Sequence, residues 1–497
     1  MQKNKRQNYI LLPINGTEVN VKNNPKVADF LSNMDNHFNM PELSASMTFS
    51  ARNMASIEDQ EIEVTVLDSI KSNGAKLVTL DNQEMASFRF SYPGLRIIPE
   101  KFYELSATRE SILNKITSRF ANTTVDILIT DKDGNPVEGA LVIAFTNYKN
   151  RQGADGKSNT SGRVKLKLNK SKIERLLVYP AHSFWGIYKK NLEYSVPLHF
   201  KLDTIDLAAD DSLRHFYPTR TYPPIENKIR IGVIDTGIGP HVNLPVGGGK
   251  NLVTDEEETD FSDLDGHGTH VAGIIAGIGD MPGLAAGVDI LAYKVFPKDE
   301  KASNFYIMKA IEQAIHDKCD LINMSLGEEE LDEGLTSSIK DAYDAGILCF
   351  AANGNDYRSP VSFPAAYSLS IAVSAFGRKD TFPNGTTQVA NVSAPYGIDN
   401  KNFVADFSNS GPETDLTAPG VGIISTVPDD KYAVMDGTSM ACPAAVGAAA
   451  RLLSTRPDLL KLKRDQTRAD EILKFLSKNI QPIGFGATFE GKGMLII

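Results

Sequence analysis

Three short segments in the second half of the chain each carry one residue suited to nucleophilic catalysis. Gly232-Val-Ile-Asp235-Thr-Gly237 ends an apolar run on a carboxylate and then turns on glycine. Asp265-Gly-His267-Gly-Thr-His270-Val-Ala-Gly273 sets a histidine at the head of a helical pattern, and Gly437-Thr-Ser439-Met-Ala-Cys442-Pro443 does the same with a serine. A serine hydroxyl is a poor nucleophile near neutral pH and needs a base within hydrogen-bond reach. Imidazole suits this task because its pKa lies close to the working pH. A carboxylate on the other ring nitrogen fixes the tautomer and stabilises the imidazolium. Asp235, His267 and Ser439 supply one group of each kind, and the chemistry they imply is acyl transfer. Taken alone, Ser439 would be an ordinary helix N-cap; the two partner segments weigh against that reading.

The elements that must deliver these groups are legible around them. Apolar strand-like runs over 229–234, 290–296, 321–325, 347–351 and 369–373 alternate with helical patterns over 267–277, 304–316, 331–345 and 438–453. Such alternation implies an α/β fold, a parallel sheet with helices on both faces. In these sheets reactive groups gather at the carboxyl ends of the strands.

Residues 227–497 resemble the subtilase family, the subtilisin-like serine proteases of peptidase family S8. The order Asp, His, Ser is the subtilisin order. Further segments share the resemblance: Leu321-Ile-Asn-Met-Ser325-Leu-Gly327, Phe403-Val-Ala-Asp-Phe407-Ser-Asn-Ser-Gly411-Pro412, Asp415-Leu-Thr-Ala-Pro-Gly420, and the ending from Gly484-Phe-Gly486 to Gly491-Lys-Gly493. It implies a subtilisin-like fold and a serine endopeptidase that forms an acyl-enzyme on Ser439. It also implies an oxyanion donor in Ala351-Ala-Asn353-Gly354-Asn355-Asp356. Asn355 is preferred because a glycine precedes it, although Asn353 stands where alanine is more usual. The Ser439 N–H, at a helix start where such groups lack intrahelical partners, would be the second donor. Ser325, Leu326 and Gly327 would pair with the substrate backbone as an added strand.

Other reactive residue types have plainer readings. His270, on the same helix as His267, reads as a hydrogen-bonded structural histidine. His267 and His270 lack the two-histidine i,i+4 spacing of a metalloprotease, so no metal site is assigned. Asp255-Glu-Glu-Glu258, with Asp260, Asp263 and Asp265, reads as a solvated loop. Many relatives bind calcium, but the loop lacks calcium-ligand spacing, and no cofactor is expected. Cys442 and Cys349 read as core fillers. Gly247-Gly-Gly249-Lys250 lacks the spacing of a phosphate loop and reads as a surface turn.

Ahead of the catalytic region the sequence divides into three stretches. Residues 1–120 are expected to form a small α+β unit. Ile62, Val66 and Ile70 recur every fourth residue, which predicts a helix over 57–71 stopped at Asn73-Gly74. Strands are expected over 9–14, 76–80, 87–90 and Leu95-Arg96-Ile97-Ile98-Pro99. Residues 45–104 resemble the inhibitory propeptides of the same family, whose C-terminal tail lies in the cleft as a product-like strand. This unit is therefore expected to assist folding or to cover the active site. Residues 122–202 alternate at Val125, Ile127 and Ile129 and turn at Asp131-Lys-Asp-Gly134-Asn-Pro136, which implies a β-sandwich. It resembles the carboxypeptidase-regulatory-like, transthyretin-like domains and is read as a docking or spacing module. Its position between the propeptide-like unit and the catalytic region departs from the ordinary zymogen arrangement. Residues 203–226, with Pro218, Pro223 and Pro224, read as a semi-rigid linker.

Composition narrows the function classes. A chain of 497 residues with net charge -10 has no basic footprint for nucleic acid. No run approaches the ~20 apolar residues of a membrane span. Three cysteines cannot all pair, and they form no disulfide framework, which fits a reducing compartment. The apolar run near the N-terminus is broken by Pro13 and is not a signal-peptide core. The chain therefore reads as cytoplasmic, with secretion as the alternative. Its partner is expected to be a protein or peptide substrate, with no nucleic acid and no membrane. Two other functions use the same residues: an inactive subtilase-scaffold binding protein, and a peptidyl transferase in which an amine replaces water.

Overall fold

The computed structural model describes residues 6–19, 24–38, 46–52, 59–106, 114–115, 123–170, 172–194 and 197–497. The catalytic half is organised by a nine-stranded sheet. Its order runs Gly248–Asn251, Asp289–Lys294, Arg230–Asp235, Leu321–Met324, Leu348–Ala352, Ser370–Arg378, Asn402–Ala405, Val392–Tyr396, with Leu416–Pro419 also paired to Ser370–Arg378. All pairs are parallel except those made by Asn402–Ala405. The central strands are apolar on both sides because both sides are covered. Ile231 and Val233 pack with Val271 and Ile275 of helix His267–Ala276 and with Met440 and Ala444 of helix Thr438–Ser454. Ile234, Ile322 and Met324 face the opposite layer, helices Asn304–His316 and Glu333–Asp344. The α/β architecture expected from the alternation is the one observed.

The front unit is a five-stranded antiparallel sheet in the order 46–52, 59–69, 76–81, 6–13, 95–99. Helices Pro25–Phe38 and Met85–Ser91 complete it. Two local expectations fail here. The helix expected over 57–71 is a strand in its described part, Asp59–Ser69. Ile62, Val64 and Val66 are buried while Glu61 and Glu63 between them are exposed. A four-residue spacing is even, so it keeps one face of a strand as well as one face of a helix. The strand expected over 87–90 lies within helix Met85–Ser91, which presents Phe88 to Phe49 and Tyr92.

The two faces of this sheet have different neighbours. Tyr9, Leu11, Ile62, Val64 and Val66 pack against the unit's own Met34 and Phe88. Ile10, Leu12, Leu77 and Ile98 belong instead to one buried cluster with Met308, Ile311, Leu335 and Ile339 of the catalytic half. Polar bonds frame that contact. Asp341 accepts from Thr17 N and Oγ1 at 3.0 and 2.7 Å, and Lys309 pairs with Asp68 at 2.9 Å.

The middle unit is a two-sheet sandwich, as its alternation implied. One sheet has five strands and the other is Arg163–Leu168, Thr123–Thr130, Leu198–Lys201. It is fastened to the catalytic half rather than spaced away from it. Ser183 N–H donates to Tyr432 O and Tyr188 N–H to Gly385 O, each at 2.7 Å, and Trp185 is buried with Met281 and Ile424.

The stretch expected to be a linker is also packed. Leu213 and Tyr217, on and beside helix Ser212–Phe216, belong to the catalytic core. Asp211 and Arg214 form a buried ion pair at 2.7 Å with exposures of 0% and 1%. Asp211 accepts the Arg214 and Ile424 N–H groups, while Arg214 donates to Ile424 O and Pro282 O. Prolines set the path of this segment, but burial makes it structural. Removing one partner of a buried pair strands the other charge and costs about 3–5 kcal/mol. In a Ser439→Ala background, Arg214→Met is therefore expected to lower the urea unfolding free energy by about that amount. A change within about 0.5 kcal/mol, as at an exposed spacer, would contradict this packing.

No helix among the described residues is long and apolar enough to cross a membrane.

Candidate active site

Asp235 closes strand Arg230–Asp235 at its carboxyl end, and His267 is the first residue of helix His267–Ala276. The two meet because Gly268 lets the helix approach the Asp235 turn. A Cβ at Gly268 would lie 2.1 Å from Gly237 O and 3.1 Å from Asp235 Cβ. Nδ1 of His267 lies 2.7 Å from Asp235 Oδ1, with both side chains buried. With a carboxylate as acceptor, Nδ1 carries the proton and Nε2 is the basic nitrogen. Nε2 has no hydrogen-bond partner among the described residues. Burial disfavours the charged ring, but the Asp235 carboxylate and its hydrogen bond outweigh that and hold the His267 pKa above its usual value.

Asp263 is a further positioning residue that the sequence reading assigned to a solvated loop. It is buried. Its Oδ1 accepts from Thr236 Oγ1 and from the N–H groups of Asp265 and Gly266. Its Oδ2 accepts from the N–H and hydroxyl of Thr269. One carboxylate thus ties the turn after Asp235 to the first turn of the His267 helix. The N-cap of that helix is Gly266, which makes no side-chain cap bond, so Asp263 acts from three residues further back and carries no cap signal in the sequence. The rest of the acidic stretch is exposed or engaged with Lys250 and Lys294. No group of three or more His, Cys, Asp or Glu among the described residues could hold a metal ion. His270 is structural, as expected: it is buried, its Nε2 contacts Ile423 O and Ala433 O, and burial drives its pKa down to about 3. Cys319, Cys349 and Cys442 are all buried and unpaired.

Ser439 is the second residue of helix Thr438–Ser454, so its N–H has no intrahelical acceptor. Its hydroxyl donates to Ser325 O at 3.0 Å rather than to His267. The chain itself fills the cleft in front of it. Strand Phe102–Leu105 lies antiparallel between Ala302–Ser303 and Leu326–Gly327, pairing Leu105 with Leu326 and Glu104 with Gly327. Ser106 N–H then donates to Ser325 O at 3.2 Å. The Ser106 carbonyl accepts two bonds, from Ser439 N–H at 3.1 Å and from the Asn355 side-chain amide. Asn355 is held for this by its own Oδ1, which accepts Thr438 N–H and Oγ1 at 3.0 and 2.9 Å. Asn353, the competing asparagine, points elsewhere, donating to Thr414 Oγ1 at 2.9 Å.

Of the seven residues singled out from the sequence, the structure gathers Ser439, Asn355, Ser325, Leu326 and Gly327 around Leu105–Ser106 and pairs Asp235 with His267, which lines the cavity beside Leu105. Sequence reasoning missed the second edge of the cleft, Ala302–Ser303, whose two residues carry no strand signal of their own. A cavity of about 710 Å³ opens beside Leu105, lined by Thr236, Leu264, His267, Phe296 and Met435 among others.

The subtilase family profile (peptidase S8) matches residues 226–478. The chain is 36% identical to the thermostable alkaline protease of Halalkalibacterium halodurans over 234 residues, 46% of this chain and 58% of that protein. It is 34% identical to the minor extracellular protease Epr of Bacillus subtilis over 264 residues, 52% of this chain and 37% of that protein. It is 33% identical to the major intracellular serine protease of Bacillus subtilis over 283 residues, 54% of this chain and 81% of that protein. The chain thus spans less than two thirds of the first two.

Proposed function

Because the chain belongs to the subtilase family, we propose that it is a serine endopeptidase whose first substrate is its own Ser106–Ala107 bond. The observation that carries this reading is the Ser106 carbonyl, held by the Ser439 N–H and the Asn355 amide, next to Leu105, which lines one cavity with His267. Two donors on one carbonyl oxygen form the arrangement that stabilises a tetrahedral oxyanion.

In the proposed sequence the Ser439 hydroxyl turns from Ser325 O and attacks the Ser106 carbonyl carbon. His267 Nε2 takes its proton, and Asp235 stabilises the imidazolium. The new Oγ–C bond forms a tetrahedral intermediate on the two donors. The C–N bond to Ala107 then breaks, with His267 returning the proton to the leaving amine. Water attacks the Ser106 acyl-enzyme, again through His267, and releases the carboxylate. The retained product occupies the cleft as a competitive strand, which supports a zymogen reading of residues 1–106. Other substrates are extended protein segments that pair with Leu326–Gly327 and Ala302–Ser303 in its place. The unpaired thiols support action in a reducing compartment.

A fluorophosphonate probe on full-length protein tests the reactive serine. It is expected to modify Ser439 and to leave the His267→Ala variant unmodified. The pH profile follows from the His267 environment. The base acts only when neutral, and its pKa is raised, so the acid limb of the self-cleavage rate is expected above pH 6.5. A limb at the unperturbed value would show that Asp235 does not stabilise the imidazolium. A chain that takes no label and leaves the 106–107 bond intact would overturn the peptidase reading.

A further inference from the structure

The oxyanion segment is touched from outside the catalytic half. Strands Leu141–Asn147 and Gln152–Lys157 of the sandwich are joined by a tight turn, in which Arg151 N–H donates to Tyr148 O at 3.1 Å. The Arg151 guanidinium lies 4.6 Å from the centre of the Tyr148 ring and 4.8 Å from that of Tyr357. Tyr148 belongs to the same turn. Tyr357 belongs to the catalytic half, two residues after Asn355. We infer that Arg151 is a positioning residue for the oxyanion donor: the sandwich holds Tyr357 and, through it, the loop that sets the Asn355 amide. This inference rests on reading Asn355 as the donor in self-cleavage after Ser106.

The loop needs holding at this point. Tyr357 and Arg358 both have left-handed backbones, with φ of 54° and 70°. Two successive residues that carry a Cβ keep this conformation only where their surroundings impose it. Their neighbours are pinned within the catalytic half. Asp356 N–H donates to Asn409 Oδ1 at 2.7 Å, and Asp356 Oδ2 accepts from Asn409 Nδ2 at 2.9 Å. Arg358 Nη2 donates to Ala394 O and Val404 O, each at 3.1 Å. The Tyr357 backbone is fixed by its N–H, which donates to Phe407 O at 3.0 Å. Its ring projects to the surface, where it is 37% exposed and meets Arg151.

A guanidinium suits this contact because it is flat, always charged and drawn to the face of an aromatic ring. Arg175 also lies over the Tyr148 ring, at 3.3 Å, so two cations share that ring and Tyr357 gives Arg151 a second one. Asn355 is sensitive to the loop because its two ends have separate tasks. Its Oδ1 rests on Thr438 while its amide meets the Ser106 carbonyl, so a backbone shift spoils one or the other. Misplacing such a donor lowers the rate without touching the nucleophile. The loss is bounded by the worth of the Arg151–Tyr357 contact, about fivefold for a part-exposed pair of this kind. The sandwich follows the 106–107 bond in the chain, so this support persists in the cleaved enzyme.

The test follows self-cleavage of freshly translated full-length chains by the appearance of the fragment that begins at Ala107. Arg151→Ala and Tyr357→Ala are each expected to slow it about fivefold, and the double variant to be no slower than the worse single one. Tyr357→Phe, which restores the ring, should recover all but about twofold of the loss. The decisive comparison is made in Asn355→Leu. With the amide gone, adding Arg151→Ala should change the remaining rate by less than about 1.5-fold, which also shows that Arg151→Ala folds. A residue that only stabilises the fold or places the substrate would give the same loss with and without the Asn355 amide, and that result would overturn the inference. Arg151→Ala cut at the wild-type rate would overturn it as well. Absence of the fragment from wild type and from every variant would instead overturn the self-cleavage reading beneath it.

Discussion

Ser439→Ala is expected to leave the chain whole, slowing release of the Ala107 terminus by on the order of 10⁶-fold. The size of the effect follows from what the substitution removes and what it spares. It removes the oxygen that forms the acyl bond, and His267 cannot replace it. It spares the fold, because the Ser439 hydroxyl makes one hydrogen bond, to Ser325 O. It also spares the Ser439 N–H, so the Ser106 carbonyl keeps both donors and the cleft strand keeps its pairing. Residual cleavage by water could then use only the oxyanion contacts and the bound geometry. The variant should thus trap the intact intramolecular complex, with Phe102–Leu105 still seated. Self-cleavage at an undiminished rate would mean that another group is the nucleophile.

Asn355→Leu is the second large effect, a loss of about 10²–10³-fold in the self-cleavage rate. Leucine keeps the approximate volume but removes the amide that donates to Ser106 O. The remaining donor, Ser439 N–H, belongs to the backbone and survives. Because substrate is tethered in the cleft and strand 102–105 keeps its backbone pairing, loss of the ground-state bond to Ser106 O accounts for only part of the lower rate, and the rest reports transition-state stabilisation. The substitution also releases Thr438, whose N–H and hydroxyl both rest on Asn355 Oδ1. Thermal unfolding of the same variant in the Ser439→Ala background separates that structural cost from the catalytic one. A rate within about threefold of wild type would show that the Ser439 N–H carries the oxyanion without Asn355.

The chemistry of this site was legible because each participant is announced by a local pattern. A strand ending in Asp235, a helix opening at His267 and a helix opening at Ser439 are short-range signals, and a parallel sheet brings such ends together. The choice between Asn353 and Asn355 could be made from a neighbouring glycine, although the geometry that separates them comes from Thr414 and Thr438, distant in sequence. What stayed hidden was long-range. Nothing in Phe102-Tyr-Glu-Leu105 states that it pairs with Leu326–Gly327, more than two hundred residues away. Ala302–Ser303 is too short to read as a strand, and it pairs only because the cleft strand is there. The spacer reading of 203–226 followed its prolines and missed Asp211, Leu213, Arg214 and Tyr217, whose burial depends on the catalytic core. Asp263 was hidden among exposed acids, since charge alone cannot distinguish a solvated carboxylate from one that receives five hydrogen bonds. In the front unit an even apolar spacing served two periodicities, and only Val64 between Ile62 and Val66 marks the strand.

The sandwich changes how the zymogen arrangement is understood. Its place in the sequence separates the propeptide-like unit from the catalytic half, yet in space both units pack directly on that half. The Ser106 carbonyl reaches the Ser439 N–H and the Asn355 amide, and strand Asn114–Lys115 already pairs within the sandwich. Cutting after Ser106 would therefore leave the sandwich joined to the catalytic half by chain and by the Trp185 contact, while residues 1–106 are held only by non-covalent contacts.

Intact-mass measurement of freshly translated full-length protein, with both new termini identified, decides whether Ser439 cuts the chain after Ser106. Wild type is expected to give two fragments, 1–106 and 107–497, and Ser439→Ala a single uncut chain. An uncut wild-type chain that also takes no fluorophosphonate at Ser439, or a cut that persists in Ser439→Ala, would contradict it.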